Sequence, residues 1–388
     1  MVTIPEGILG LAVFWLVLSA VSQRANLSKL GILVGPFMLI WRTTKLNGII
    51  GALTQNRTSK FWKKIGTGSS YIVLAMFFAF PFLLVYNLVK GYFNQASYLI
   101  PSSPIKYIDP SILVIVVPLF LAITINQVAK AIMASAEGVE VKSSGLFVVV
   151  FLFFGIIQSS QEALENLNRK SLIRILSFGI LANLIFSLFF IQIAGSAQTM
   201  INPLFKSSQG AIVTAVEPNG PSANSLLVGD IITGLSQFQS NVLQSDHQIT
   251  SKQDLIIQLR NIPAGSQFYV YLKNLGREVP VTGISPPVGV QIGSYLGIEV
   301  YDYHPPKSSL LSPLLPYYLD LFIQWSIALN LFFATFNLLA LPYSDGQKIS
   351  KHLLEAYDVE EDKRRRYLRY FTFVSAVLIL LNLQATIW

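Results

Sequence analysis

The chain has 388 residues, of which 52% are hydrophobic and only 12% are charged, and its mean hydropathy is +0.54. These values exclude an ordinary soluble globular protein and predict a polytopic membrane protein whose first partner is the lipid bilayer. Cysteine is absent, which excludes disulfides, thiolate zinc sites and cysteine nucleophiles. The formal net charge of +8 does not indicate a nucleic-acid partner, because in a membrane protein the position of the basic residues matters more than their sum.

Six apolar stretches are long enough to cross about 30 Å of hydrocarbon, which takes roughly 20 helical residues. In chain order they are Ile4 to Val21, Ser70 to Val89, Pro110 to Met133, Leu172 to Ala194, Leu314 to Leu341 and Tyr370 to Ile387. We therefore expect a mainly α-helical protein with about six transmembrane helices. Leu30 to Trp41 and Gly145 to Ile157 are apolar but too short for a straight crossing, so we expect them to be re-entrant, interfacial or packed inside the protein.

Basic residues predict the orientation of these spans. The segment between the first two spans is rich in lysine and arginine and has no acidic residue; its basic positions are Arg24, Lys29, Arg42, Lys45, Arg57, Lys60, Lys63 and Lys64. Since such loops remain in the cytoplasm, this segment is predicted to be cytoplasmic. If the spans alternate, the second basic run, Lys363 to Arg366, is also cytoplasmic, and the long segment from Gln198 to Ser309 is external.

Part of that external segment, about residues 207–285, is polar and turn-rich and contains period-2 strands such as "GAIVTAV" and "QFYVYL". A helical stretch, "SKQDLIIQLRNI", begins at a predicted Ser251 cap. "PSANSLLVGDIITGL" and "NLGREVPVTG" resemble parts of a PDZ domain, which implies an inserted α+β domain on the external side.

The PDZ resemblance implies a peptide that adds a strand to a sheet edge. We expect the first strand, with Gly210, Ala211, Ile212 and Val213, to be the receiving edge. The alternative is a spacer or steric gate that binds no peptide.

Three further motifs lie in or beside the apolar stretches. They are "AEGVEVKSSG", "RILSFGILANLIFSL" and "FNLLALPYSDGQKI". In this order they resemble the site-2 proteases, which are intramembrane zinc metalloproteases, and the resemblance covers roughly Pro110 to Gln347. The matching positions are Gly138, Gly179, Asn183, Asn337, Pro342, Asp345 and Gly346, while Ile180 replaces a usual proline.

The resemblance divides the chain into five regions. They are an N-terminal transmembrane region with a basic cytoplasmic loop (1–109), the first part of a protease-like membrane core (110–200), the external PDZ-like domain (201–290), the second part of the core (291–345), and a basic cytoplasmic loop with the last helix (346–388).

The departure from the family lies in the chemistry. The family carries H-E-x-x-H, whose two imidazoles bind zinc and whose glutamate is the base. The matching positions here are Asn126, Gln127 and Lys130, so no catalytic set is intact, and we expect no zinc although the family uses it. The histidines of the chain are His247, His304 and His352, and all lie outside the predicted spans.

Of the family's metal ligands only Asp345 remains, and an unpaired carboxylate at membrane depth is costly. We therefore hypothesise an ion pair between Lys130 and Asp345 where the family holds zinc, with Asn126 and Gln127 completing the hydrogen bonds. The alternative is that Lys130 extends its ammonium to the cytoplasmic interface, because it is near the end of its helix.

The leading functional interpretation is a catalytically inactive relative of the site-2 protease that binds transmembrane or peptide clients without cleaving them. One alternative is an active intramembrane metalloendopeptidase with an unorthodox site. Another is a transporter or channel that uses the Lys130 and Asp345 pair as part of its pathway. A deliberately altered relative of an active enzyme is also compatible with the sequence.

Overall fold

The computed structural model describes residues 4–55, 57–90, 112–150, 152–236, 247–286 and 293–387. These residues form two compact units. Unit 1 consists of the described residues up to 90, 112–192 and 323–387, and unit 2 consists of those within 193–322.

Long helices dominate unit 1. They are α1 (Ile4–Arg24), α3 (Arg57–Lys90), α4 (Ile112–Ala136), α6 (Arg169–Gly195), α9 (Leu315–Leu338) and α11 (Glu361–Ile387), and the last residues of α6 and the first turns of α9 belong to unit 2. Shorter helices are α2 (Lys45–Thr54), α5 (Gln161–Glu165) and α10 (Asp345–Ala356), with a 3₁₀ turn at Leu27–Leu30.

Four helices among the described residues are long and apolar enough to cross a membrane: α3, α4, α6 and α9. They correspond to four of the six predicted spans. The first and last predicted spans coincide with α1 and α11, and α1 contains a shorter apolar helix at Gly10–Ser22. The chain is therefore a helical membrane protein, and its total of six spans stays a prediction.

The two short apolar stretches form β-hairpins and not helices. Strands β1 (Ile32–Gly35), β2 (Met38–Thr43), β3 (Val141–Val149) and β4 (Leu152–Ser159) make one antiparallel sheet in the order β1-β2-β3-β4. Phe37 and Val150, at the two hairpin turns, have positive φ angles of 56° and 58°, a backbone conformation that residues other than glycine seldom adopt. In a continuous apolar run of this length, periodicity does not distinguish a strand from a buried helix. The secondary structure of these two stretches therefore could not be predicted from the sequence.

This sheet packs on α4 through β4. The two elements approach so closely at Gly155 that a Cβ atom there would overlap the Thr124 side chain. In the same way, Gly66 of α3 leaves room for the side chain of Met133 of α4. Small residues thus set the helix and sheet spacing around α4.

Unit 2 is an α+β domain with its own apolar core. Its main sheet has the order β10-β5-β6-β8-β9, with β7 paired to β6. The elements are α7 (Ala197–Ile201), β5 (Ala211–Val216), β6 (Ile231–Ser236), β7 (His247–Gln248), α8 (Lys252–Asn261), β8 (Gln267–Leu272), β9 (Arg277–Thr282) and β10 (Ile298–Asp302). Val213, Leu255 and Phe268 are among the fully buried side chains that join the sheet to α8.

The predicted Ser251 cap of α8 is confirmed, because its hydroxyl accepts the backbone N–H of Asp254 at 3.1 Å. Asp254 in turn accepts hydrogen bonds from the hydroxyl and backbone N–H of Thr250. These bonds, the hydroxyl's first, lower the pKa of Asp254. The Ser251 hydroxyl and the Asp254 carboxylate therefore both fix the start of the helix by hydrogen bonds to nearby backbone N–H groups.

The predicted receiving edge is wrong. Strand β5, which contains Ala211, Ile212 and Val213 and follows Gly210, is paired with β10 on one side and with β6 on the other. Its backbone is therefore already engaged along both edges. Strand β10 covers it from about 85 residues away along the chain, and the predicted domain end at residue 290 leaves this strand out.

Candidate functional site

The site is built on α4, where Asn126, Gln127 and Lys130 occupy positions i, i+1 and i+4 of the helix. Residues four apart lie on one helix face, so Asn126 and Lys130 point to the same side. Asn126 is buried, and the side chain of Lys130 retains 20% of its surface exposure.

Asp345 is the first residue of α10, and a capping network fixes it there. Ser344 caps the helix by accepting the backbone N–H of Gln347 at 3.1 Å, and its hydroxyl contacts the carbonyl oxygens of Leu339 and Leu341 at 2.6 and 2.8 Å. The Asp345 backbone N–H donates to Oδ1 of Asn337 at 3.3 Å. A carboxylate at a helix N-terminus is favoured by the helix dipole, which lowers the cost of burying Asp345.

The remaining motif residues shape the entry to this helix. Pro342 lies in the turn before α10, and Tyr343 in that turn has a φ of 66°. A Cβ atom on Gly346 would overlap the backbone carbonyls of Leu338 and Leu339. The "LPYSDG" segment therefore needs glycine at its last position for α10 to begin so close to the end of α9.

Lys130 and Asp345 meet across the interior of unit 1. The lysine Nζ lies 2.5 Å from Oδ2 of Asp345, whose side chain is 3% exposed. Apart from this ammonium, Oδ2 has no hydrogen-bond partner among the described residues. The pair is thus a largely desolvated, charge-assisted contact.

Gly179 of α6 lies against the aliphatic part of Lys130. A Cβ atom at this position would lie 2.7 Å from Lys130 Cε, 2.8 Å from its Cγ and 3.1 Å from Asn126 Nδ2. One helical turn further along, Asn183 is fully buried. Glycine in the α6 motif therefore provides the space that the lysine side chain occupies.

Two buried amide side chains, one on α4 and one on α6, have atoms without a hydrogen-bond partner among the described residues. These atoms are Nδ2 of Asn126 and both Nδ2 and Oδ1 of Asn183. Burying such groups unpaired costs free energy, so a site that retains them is suited to receive water or a polar ligand group. The hypothesised hydrogen bonds from Asn126 and Gln127 to the ion pair do not occur among the described contacts.

Sequence reasoning missed a second charged cluster at the end of α4. The carboxylate of Glu137, 5% exposed, accepts from Arg174 at 2.5 Å and from the Ser171 hydroxyl at 2.7 Å, and Lys63 lies 3.9 Å away. Gly138, the next residue, has a φ of 92°, which allows the chain to turn out of α4. A lone acidic residue facing the basic start of α6 was the available signal for this cluster.

A cavity of about 920 Å³ opens beside the ion pair within unit 1. Its wall includes Gln127 and Lys130 of α4, the β4 residues 156–159, apolar side chains of α6, and one face of α10. The cavity volume lies in the range of small-molecule sites in proteins. The Lys130 and Asp345 pair therefore lies at the wall of a pocket large enough for a small ligand.

The residues present do not fit a catalytic zinc. A zinc of this kind needs three protein ligands and an open position for water. Of the matching residues, Asp345 offers an anionic oxygen, Asn126 a neutral amide, and Lys130 a cation pointed at Asp345. Across the part of the chain that the structure describes, no three His, Cys, Asp or Glu side chains are grouped to hold a metal ion.

The long helices, the sheet packed on α4 and the polar site at α4, α6 and α10 define a helical integral membrane protein with an ion pair in the interior of unit 1. The chain belongs to peptidase family M50, the site-2 protease family, whose family model matches residues 114–382. It is also similar to an uncharacterized protein of Methanocaldococcus jannaschii, at 24% identity over 240 residues. The match spans 60% of this chain and about 60% of the length of that relative.

Proposed function

We propose that the chain is a catalytically inactive member of the site-2 protease family that binds transmembrane or peptide clients without cleaving them. The observation that carries the proposal is the 2.5 Å contact between Lys130 and Asp345. In the proposed role, the lysine ammonium supplies the positive charge that zinc supplies in an active family member. The ammonium stabilises the Asp345 carboxylate, but it cannot act as a Lewis acid that polarises the carbonyl of a peptide bond.

The neighbouring side chains support inactivity. Hydrolysis of a peptide bond by this family's chemistry needs a base that accepts a proton from water, and a carboxamide such as Gln127 cannot accept one at neutral pH. Asn126 is a neutral and weak ligand. The proposed mechanism is therefore capture of a client near the unpaired amides of Asn126 and Asn183, with no covalent step.

For the arrangement in the membrane, we propose six spans with the basic segments in the cytoplasm. The pairing of β2 with β3 supports this, because it requires the segment before α3 and the segment after α4 to lie on the same side. The segment before α3 contains the predicted cytoplasmic basic run. Unit 2 is then external in the proposed arrangement.

We further propose that unit 2 acts as a PDZ-like domain that receives an extended peptide along β10. Strand addition needs a sheet edge with free backbone groups, and β10 and β9 are the terminal strands of the main sheet. Pro280 within β9 lacks an N–H and makes that edge a poor receiver. Strand β10 also lies next to α8, so a bound peptide would have both a strand and a helix beside it.

The test combines metal analysis and cleavage. The purified full chain is assayed for zinc by mass spectrometry and for cleavage of a model transmembrane substrate. The matched protein carries Asn126→His, Gln127→Glu and Lys130→His together. We expect neither stoichiometric zinc nor cleavage for the natural chain, and zinc binding for the triple variant, because Asp345 would complete its ligand set.

Cleavage by the natural chain that a chelator abolishes would reject the proposal and favour the unorthodox protease. Charge movement in proteoliposomes that is lost with Lys130→Gln would instead favour the transporter alternative. Capture is measured separately, by crosslinking a model transmembrane segment to the natural chain.

A further inference from the structure

The cavity beside the Lys130 and Asp345 pair is lined by more cationic than anionic side chains. Two carboxylates line it, and each already has a cationic partner. Asp345 is bound by Lys130 at 2.5 Å. Glu355 lies 2.9 Å from Nδ1 of His352 and 3.4 Å from Nη1 of Arg364.

Three further cations line the same cavity: Arg42 of β2 and Lys348 and Lys351 of α10. None of the ion pairs formed by the described side chains includes these three. Lys351 contributes weakly, after Arg365 and Arg364, to the lowered pKa of Glu361, but Glu361 does not line the cavity. The cavity therefore carries an excess of positive charge.

The α10 residues that line the cavity lie near one face of that helix. Lys348, Lys351 and His352 follow Asp345 at helical spacings of three, six and seven residues, so they lie near one face of α10. Arg42 reaches the cavity from the sheet. Lysine binds phosphate as a point charge and arginine binds it through its planar fork, so this set suits a phosphate group.

The lining of the cavity also includes apolar side chains. Ile156 and Ile157 of β4 and Leu172, Ile175 and Leu176 of α6 contribute to it. A ligand that fills the cavity would therefore contact both cationic and apolar side chains. Amphiphiles with an anionic head have this chemistry.

We propose that this cavity binds a phosphate-bearing anion, with Arg42, Lys348 and Lys351 holding the phosphate and the β4 and α6 wall contacting an apolar tail. The phosphate comes either from a lipid headgroup or from a free phosphate compound. This binding goes beyond the proposed function, because it neither requires nor excludes proteolysis. A chain found to cleave substrates could still bind phosphate here.

The experiment uses the full chain in detergent micelles and follows binding by phosphorus-31 NMR. The probes, titrated separately, are dioctanoyl phosphatidic acid, dioctanoyl phosphatidylcholine and inorganic phosphate. The test variant is Lys348→Gln with Lys351→Gln, and both lysines are exposed, so the fold should be retained. The matched control is Lys29→Gln with Lys45→Gln, which removes two exposed charges outside the cavity.

We expect saturable binding of phosphatidic acid that the test variant weakens at least about tenfold, the size expected for losing a charge-assisted hydrogen bond. The control variant should bind like the natural chain. Tight binding of phosphatidic acid with little inorganic phosphate bound assigns the ligand to lipid. Comparable binding of inorganic phosphate assigns it to a free phosphate compound.

The proposal is overturned if no phosphate probe binds saturably, or if the control variant loses binding as much as the test variant. It is also overturned if a peptide with a free C-terminal carboxylate binds at Lys348 and Lys351 and phosphate probes do not displace it. That result would assign the cavity to a client terminus.

Discussion

Lys130 is tolerated inside an apolar helix because its ammonium group forms an ion pair with a carboxylate and its methylene groups pack against a glycine. An unpaired ion in this position would cost several kcal/mol. The contact with Asp345 removes most of that cost, and Gly179 provides room for the aliphatic stem. The two halves of the side chain are therefore satisfied by different helices, α10 and α6.

Removal of the lysine alone should destabilise the protein strongly. We expect Lys130→Ala to lower the free energy of unfolding by about 3 kcal/mol, because it leaves the buried Asp345 carboxylate unpaired. The double variant Lys130→Ala with Asp345→Asn should recover part of this loss. Unfolding in mixed micelles measures both, and Lys170→Ala, at an exposed position of α6, is the control.

Equal stability of Lys130→Ala and Lys170→Ala would contradict the ion-pair role and favour a lysine that extends to the membrane interface. Strictly additive effects of the two substitutions would do the same, since residues in direct contact are expected to couple.

A methyl group at Gly179 should act through Lys130. We expect Gly179→Ala to cost about 1–3 kcal/mol, because its Cβ would lie within 3 Å of two lysine carbons and displace the ammonium from Asp345. Gly195→Ala, in the same helix, is the matched control because no atom lies within 4 Å of its added Cβ.

Thermal unfolding of the two glycine variants tests this expectation. The destabilisation by Gly179→Ala should shrink in a Lys130→Ala background, where the obstructing side chain is gone. If the loss is the same in both backgrounds, the glycine serves backbone packing of α6 and not the lysine.

Individual elements are joined by small residues and by one buried carboxylate. Gly155 brings β4 onto α4, and Glu137 connects the end of α4 with Arg174 and Ser171 at the start of α6. The turn between α4 and the sheet is thus fixed from two directions. This explains how four short strands can hold their place beside long helices.

Neutralising Glu137 should loosen this junction. We expect Glu137→Gln to cost about 2 kcal/mol, because Arg174 keeps its charge and loses its anionic acceptor in a mostly buried position. Glu140→Gln, three residues later and exposed, should be close to neutral. Hydrogen exchange of residues 137–145 reports the local effect, and unchanged exchange in Glu137→Gln would argue against the junction.

The sequence predicted the family but did not predict the β-sheet of unit 1. The family resemblance is confirmed by the match over residues 114–382, and the motif residues Gly179 and Gly346 lie where close contacts need glycine. The hairpins were not predicted, because short apolar runs look alike as strands and as buried helices. The pairing of β10 with β5 was missed because it joins segments far apart in the chain, which local patterns do not report.

For the whole molecule, the absence of cysteine makes its orientation directly measurable. We expect Asn224→Cys, at an exposed position of unit 2, to react with a membrane-impermeant maleimide added to intact cells. Ser28→Cys and Asp362→Cys, exposed positions of the two basic segments, should react only after the membrane is permeabilised. The opposite labelling pattern would reverse the proposed topology.

On the proposed function, the contact between Lys130 and Asp345 also bears on how easily mutation could produce a zinc site at these positions. Mutation of Lys130 to histidine alone removes the ammonium from a buried carboxylate while positions 126 and 127 still lack a ligand and a base. That first step would lower stability and provide no catalysis, and proteins near their stability threshold rarely tolerate such steps. On the proposed function, Lys130 therefore makes a return to zinc catalysis difficult. Positions 126, 127 and 130 must all change before the protein gains an activity that selection could favour.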